Sequence, residues 1–371
     1  MKLGVVLPNW IGDVVMATPT LRALRQRVGP GGRLVGVMRP YVAQVLSGLP
    51  WFDETIYYDY RLRNRSLGSW AAMAALRAER LDAAVLLPNS LRAAMLARLA
   101  GIGRRIGYAG NGRNLLLTDR IIRPRDAQGP LPIAAVEHYL RLAEATGCRD
   151  VSRRLQLATT SQEEAAAERV WKRLGLDRAG RVVALHVCGA AGTARHWPVE
   201  HAVQLARRLT ERPDTSVAVF CGPQERDQAT AIQQQAAHRR VVSITQPTVG
   251  VGVSKACLRR CALLITTDSG PRHIAAALGV PVVALFGPTD PRLTETGQLD
   301  SVHLRLPLAC SPCSDDKCRF GHHDCMRHIL PERVAATAER LLAEPAARRE
   351  DRAGAETVQL SPTDHAPLLA R

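Results

Sequence analysis

A chain of 371 residues, 46% hydrophobic and 23% charged, is long enough for two domains and too apolar to be mostly disordered. Its formal net charge is +16, and 46 of its 50 cationic side chains are arginine, the lysines being Lys2, Lys172, Lys255 and Lys317. Aromatic residues make up only 4% and do not interleave with the arginines as stacking platforms, and no zinc-finger, helix-turn-helix or RNA-binding signature occurs, so nucleic acid is not the expected partner.

Along the chain, short β-branched runs alternate with alanine- and leucine-rich amphipathic segments. In the first half the pattern predicts strands over 2–7, 34–38 and 83–87, and helices near 19–28, 40–47, 67–80, 91–99 and 133–146. In the second half it predicts strands over 182–187, 217–221, 241–244, 263–267 and 282–286, interleaved with helices near 199–210, 225–237, 255–260, 271–278 and 331–342. Such alternation gives parallel sheets with helices on both faces, and two such series give two doubly wound α/β domains, 1–160 and 161–343. The stretch 156–179 holds a helix and the expected hinge. The polar, proline-containing end, 344–371, has no period and is expected to be a disordered tail.

No run reaches the ~18–20 apolar residues needed to span a bilayer, and the apolar stretch Leu3-Gly4-Val5-Val6-Leu7 is too short for a signal-peptide core, so a cytoplasmic location is expected. Five cysteines (Cys148, Cys188, Cys221, Cys257, Cys261) lie scattered in apolar segments as buried thiols. The charge is unevenly spread: residues 1–160 carry 23 basic against 11 acidic side chains, an excess of 12 that leaves 4 for the rest. Codon bias accounts for arginine over lysine as readily as function does. A basic half nevertheless calls for an anionic partner such as a membrane surface or a phosphorylated or carboxylated substrate.

Ligands of open parallel sheets bind beyond the C-terminal strand ends, so two such domains facing each other place the site in a central cleft. Three turns fall there. After the first strand comes Pro8-Asn9-Trp10-Ile11-Gly12-Asp13, where Gly12 permits a tight turn and Asp13 is either a helix N-cap or a carboxylate presented to a substrate. After 263–267 comes Asp268-Ser269-Gly270-Pro271-Arg272-His273, in which the amides of Ser269 and Gly270 open a helix and form an anion site suited to a pyrophosphate. The turn beyond 182–187 carries Thr193-Ala194-Arg195-His196-Trp197-Pro198, with Arg195 as a phosphate partner. Lys255 opens a helix near the same edge, where it either reaches the nucleotide or is a solvated surface lysine.

Asn9-Trp10-Ile11-Gly12-Asp13, Arg195-His196-Trp197-Pro198, the run Asp268 to Gly279 and Phe286-Gly287-Pro288-Thr289-Asp290-Pro291 stand in the order and spacing of the ADP-heptose:lipopolysaccharide heptosyltransferases. The chain resembles glycosyltransferase family 9, heptosyltransferase II type, over roughly residues 1–343. The resemblance implies a GT-B fold of two Rossmann-like domains, with the acceptor on the first and the nucleotide sugar on the second. It implies Asp13 as general base on an acceptor-side loop with Asn9 and Gly12, Asp268 as donor-sugar ligand, and Ser269, Gly270, Arg195 and His273 at the donor. Arg195 replaces a phosphate-binding lysine, His196 stands where arginine is usual, and Arg272 where methionine is usual, so a second phosphate contact is expected from Arg272. The implied reaction inverts the anomeric centre and needs no cofactor or catalytic metal, ADP-heptose being the donor. The implied acceptor is an anionic glycolipid, Kdo-lipid A or heptosyl-Kdo-lipid A, met peripherally at the inner membrane. Two alternatives remain at this point: a GT-B enzyme using another nucleotide sugar, and a non-catalytic paralogue that binds a nucleotide sugar or glycolipid.

Cys310-x2-Cys313-x4-Cys318-x6-Cys325 spans sixteen residues with metal-ligand spacing. A structural zinc, free thiols and disulfides are all open for it. Similar segments occur in the family without an established catalytic role.

Overall fold

The computed structural model describes residues 1–344, apart from 63, 128, 150, 190, 191, 247, 298 and 299, together with 355–360. The chain forms two compact units: Met1–Ala158 with Arg292–Thr296, and Thr159–Pro291 with Gly297–Arg371.

The first unit contains a six-stranded parallel sheet of β1 (Lys2–Val6), β2 (Arg33–Met38), β3 (Glu54–Tyr57), β4 (Ala83–Leu86), β5 (Arg104–Tyr108) and β6 (Asp119–Ile121), in the order β3-β2-β1-β4-β5-β6. Two short strands, β7 (Arg125–Asp126) and β8 (Gly129–Pro130), form a separate antiparallel ribbon. The inner strands are buried on both faces, as a parallel sheet under helices requires. The covering helices are α1 (Ile11–Met16), α2 (Thr18–Val28), α3 (Pro40–Leu46), α4 (Ser69–Glu79), α5 (Leu91–Leu99) and α6 (Ala135–Glu144). Pro19 fits the first turn of α2, Gly29 at φ 69° ends it, and Ser90 accepts from the Ala93 amide to cap α5. The sequence pattern misses α1, β3, β5 and β6. β5 opens on two arginines, with Arg104 paired to Asp119 of β6 at 2.9 Å, so neither strand shows a long apolar run.

The second unit repeats the plan with β9 (Arg181–His186), β10 (Thr215–Phe220), β11 (Val241–Ile244), β12 (Leu263–Thr267), β13 (Val282–Phe286), β14 (Ser301–Arg305) and β15 (Glu356–Gln359), ordered β11-β10-β9-β12-β13-β14-β15 and parallel throughout. Its helices are α7 (Ser161–Arg173), α8 (Val199–Leu209), α9 (Arg226–Ala236), α10 (Val251–Arg259), α11 (Gly270–Ala277), α12 (Asp324–Arg327) and α13 (Pro331–Ala343). A capping box between Thr160 and Glu163 starts α7. β15 corrects the tail expected from 344: Glu356-Thr357-Val358-Gln359 pairs with β14, its side chains alternate in exposure, and Leu360 joins the core. The rest of that tail lies outside the described residues. Among the described residues no helix is long and apolar enough to cross a membrane.

In both units every loop that follows a strand emerges at the same sheet edge, because the strands are parallel. All three turns singled out in the sequence lie on such loops.

Candidate functional site

In the first unit Asp13 sits in the first turn of α1, directly beyond β1. The N-cap of α1 is Trp10 and no side chain caps it, so Asp13 is not a capping residue; its carboxylate lies where the helix dipole favours negative charge. Tyr139 of α6 donates its hydroxyl to Asp13 Oδ1 at 2.9 Å. Burial first, and then the Asp13 charge, push the Tyr139 hydroxyl well above its ordinary pKa, so it stays protonated as a donor. Beside it, His138 stacks on Tyr108 with ring centroids 3.8 Å apart and planes 8° apart. Burial, with the nearby charges of Arg123 and Arg113, pushes His138 down to about 4, so it is neutral at pH 7.

Asp13, Tyr139 and His138 border a cavity of about 410 Å³ that Asn9, Arg39 and Tyr41 also line. The Tyr41 hydroxyl donates to the Asn9 carbonyl, fixing the loop that carries Gly12 into α1. Tyr139, His138 and Arg39 escape a reading of the sequence. Tyr139 lies 126 residues from its partner, whereas Arg39-Pro40, directly after β2, carried a strand-end signal.

In the second unit Ser269 is the N-cap of α11 and Gly270 its first residue; Ser269 makes no side-chain cap bond, and its hydroxyl turns to Thr266 Oγ1 at 3.0 Å and His186 Nδ1 at 3.3 Å. His186 Nε2 stands 3.4 Å from Glu225 Oε2, which also accepts the Gly222 amide at 2.7 Å. Burial works to raise the Glu225 carboxyl, but the hydrogen bond and charge of His186 outweigh it and hold the group below the usual carboxylate range. His186 and Glu225 are site residues that the motifs did not reveal; they end β9 and follow β10 at the same edge as Ser269.

Arg195 Nη1 reaches the Asp268 carbonyl at 3.5 Å, so the structure brings Arg195, Asp268, Ser269 and Gly270 together. Two expectations change. Arg272 is 4% exposed, with Nε 3.4 Å from Asp268 Oδ1, Nη1 3.1 Å from His303 Nε2 and its guanidinium 5.0 Å from the Phe286 ring centroid. It braces Asp268 from within the core instead of facing a phosphate. Lys255 is fully buried, and its Nζ lies 3.5 Å from Glu163 Oε2, so it ties α10 to α7 and does not reach toward a nucleotide. The sequence favours that outcome through Gly252, where a Cβ would stand 2.1 Å from Glu163 Oε1 and keep α7 from packing so closely. His273 is buried as well, and burial together with the Arg272 charge lowers its pKa well below the ordinary value.

All nine cysteines are free thiols, and among the described residues no three His, Cys, Asp or Glu side chains converge to hold a metal ion. The four cysteines Cys310, Cys313, Cys318 and Cys325 lie within electrostatic reach of one another: burial first, and then the charges of the other three, push the Cys325 thiol up to about 11, Cys325 being buried in α12 near Gly287 and the others partly exposed. What the segment does is buttress. Ala194 donates its amide to the Asp316 carbonyl at 3.0 Å, His323 Nε2 lies 2.7 Å from the Ala194 carbonyl, and Ser311 Oγ donates to the Gly287 carbonyl at 2.6 Å. Gly192, at φ 109°, is required there, since a Cβ would meet the Asp316 oxygen at 2.4 Å.

Two doubly wound parallel units, with Asp13 beside a cavity of one and the amides that open α11 at the strand edge of the other, have the architecture of GT-B glycosyltransferases. The chain belongs to glycosyltransferase family 9 (heptosyltransferase), whose sequence profile matches residues 69–323. It is 28% identical over 354 residues to lipopolysaccharide heptosyltransferase 2 of Escherichia coli K12, covering 92% of this chain and 99% of that one. The solved E. coli ADP-heptose lps heptosyltransferase II superposes with a TM-score of 0.75 at 25% identity, over 92% of this chain and 98% of that one. An E. coli heptosyltransferase solved with ADP superposes with a TM-score of 0.69 at 20% identity, over 92% and 100%.

Proposed function

We propose that this glycosyltransferase moves heptose from ADP-heptose to the inner core of a lipopolysaccharide precursor, Kdo-lipid A or heptosyl-Kdo-lipid A, by a single inverting displacement. The observation that carries the reading is Asp13, held by Tyr139 at the wall of a cavity of about 410 Å³. A carboxylate so placed takes the proton of an acceptor hydroxyl as it attacks the anomeric carbon, which general-base catalysis rewards by typically ~10²–10⁴-fold. The hydroxyl of Tyr139 anchors the carboxylate at Oδ1 beside the cavity.

In the second unit, Arg195 and the amides at the start of α11 supply positive potential for the departing ADP pyrophosphate without a divalent ion. Arg272 keeps Asp268 in place to hold the heptose. The names of the similar proteins supply the sugar and the acceptor class; the excess of 12 positive charges in residues 1–160 suits an anionic glycolipid met at the cytoplasmic face of the inner membrane.

The test is ADP release from ADP-heptose in the presence and absence of a Kdo-containing acceptor, with wild type and Asp13→Asn. Acceptor-dependent release that the substitution abolishes while ADP still binds supports the reading. Release only with another nucleotide sugar replaces the donor, and binding without turnover makes the chain a non-catalytic paralogue.

A further inference from the structure

The helix α5 reverses the usual pattern of a surface helix. Its buried positions are Ala93, Ala94, Leu96 and Ala97, whereas Leu91, Met95 and Leu99, spaced four apart, are exposed together with Arg92 and Arg98. Most of its large apolar side chains thus lie outside and its small ones inside. Left in water that arrangement is unfavourable, and a helix apolar on its outer side as well as its inner one is built to meet a second apolar phase. The neighbouring α4 packs against α5, with Arg77 Nη2 donating to the Leu99 carbonyl at 2.7 Å, and it presents Trp70 at 81% exposure. The 3-10 turn Asn114–Leu116 also packs against α5; Leu116 rests on the core while Leu115 stands 93% exposed. Three adjoining elements therefore offer large apolar side chains to the outside.

The same stretch concentrates the positive charge of the first unit. Residues 61–118 carry ten arginines against two acids, Glu79 and Asp82, so a net 8 of the excess of 12 in residues 1–160 falls here. Both acids are engaged elsewhere, Glu79 with Arg33 at 2.8 Å and Asp82 with the Lys2 amide at 2.8 Å. No acid occurs in α5, and burial followed by the Arg98 charge lowers the Arg105 guanidinium, the mark of cations crowded together. A second copy of this chain on the face would set Arg92 and Arg98 against like charges. An anionic bilayer instead satisfies both properties at once: tryptophan and leucine enter the headgroup and acyl boundary while the flanking guanidinium groups meet lipid phosphates.

We propose that the outer face of α4 and α5 docks the first unit on an anionic lipid bilayer, with Trp70, Leu91, Met95, Leu99 and Leu115 entering the interface and Arg98 contacting headgroups. The proposal deepens the acceptor reading given above and rests on it for its purpose. Ser90, the N-cap of α5, lines the cavity that Asp13 borders, so the docked face ends at the rim of that cavity. An acceptor whose acyl chains stay in the bilayer then presents only its sugars to Asp13, and the lipid need not be drawn out of the membrane.

Flotation of the full chain with vesicles of phosphatidylethanolamine and phosphatidylglycerol, about three parts to one, tests the surface without turnover. Wild type should float with these vesicles and much less with phosphatidylcholine alone. The triple substitution Met95→Gln, Leu99→Gln and Leu115→Gln, all at exposed side chains, should lower the partition coefficient about 10- to 100-fold, and Arg98→Gln about fivefold, with ADP affinity unchanged. Brominated phosphatidylglycerol should quench tryptophan fluorescence in wild type, and less so in Trp70→Phe, a change that leaves an aromatic ring in place. Wild type that stays in the aqueous phase, a triple variant that partitions like wild type, or quenching unchanged in Trp70→Phe overturns the proposal. So does a dimer that the triple variant splits in the absence of vesicle binding, since the face would then meet a second copy of the chain. Vesicle binding without heptose transfer leaves the docking surface standing and removes the acceptor reading; transfer to a deacylated, water-soluble acceptor without vesicle binding does the reverse.

Discussion

The two units share a strand order and differ in what they do with the loops at the C-terminal sheet edge. The first unit turns its polar groups toward a cavity: Asp13 accepts the Tyr139 hydroxyl at the cavity wall, and three arginines gather around Tyr60. The second unit joins its polar groups to each other, Ser269 to His186 to Glu225 and Arg272 to Asp268 and His303, and buries most of them. One topology thus serves an adaptable surface in one place and a preorganised one in the other. Preorganised donors suit a leaving group whose shape does not vary, because nothing must rearrange as charge develops. A cavity ringed by cations suits a partner that is large, anionic and variable.

The largest effect that sharpens this contrast is at Asp13. Asp13→Asn should lower kcat by about 10²–10⁴-fold with ADP affinity unchanged, measured by single-turnover transfer and calorimetry. An equal loss of ADP affinity would mean that the first unit also organises the donor. Next is Arg195→Ala, expected to cost about 10²–10³-fold in kcat, with Arg195→Lys recovering part of it because charge returns without the planar fork.

Acid stability discriminates the units more gently. His138, at about 4, lies in the first unit, while His303, at about 3, and His273, well below its ordinary value, lie in the second; burial is the leading cause for all three. Each is neutral when folded, and each takes up a proton near pH 6.5 when unfolded. As pH falls from about 6.5 to about 4.5, the unfolded chain gains protons that the folded one refuses, and each histidine should cost about 1.4 kcal/mol per pH unit. The second unit should therefore lose stability more steeply, as hydrogen exchange against pH would register; equal slopes would break the contrast. Tyr139→Phe should have the smallest effect, a kcat loss of about 5- to 10-fold at constant acceptor KM, since Asp13 keeps its charge and place but loses one orienting bond.

How much of this could be read from the chain follows from which contacts are local. The inner strands β1, β2, β4, β9, β10, β12 and β13 stand out as apolar runs between turn residues, and so do the turns that bear Asp13, Arg195 and Ser269. Of the strands nearer the sheet edges β11 does so too, whereas β3 and β6 are short and half-polar, and β15 depends on pairing with β14 to order an otherwise plain sequence. The site was legible where one turn supplies the chemistry and illegible where partners meet across the fold. Tyr139 with Asp13, His186 with Ser269 and Glu225 with His186 are brought together only by the sheets. Lys255 shows the converse error, in which scarcity of lysine and nearness to a motif suggested a ligand, while Gly252 one turn earlier lets Glu163 come close enough to take the charge.

The contact between Gly192 and the Asp316 carbonyl has a consequence for how such enzymes can be recombined. Because the backbone at 192–194 is seated directly on the cysteine segment, residues 310–325 and the loop that presents Arg195 form one unit of inheritance despite more than a hundred residues between them. A chimaera that exchanges the segment alone should express and fold yet bind donor poorly, and one that carries 189–197 along with it should regain that binding.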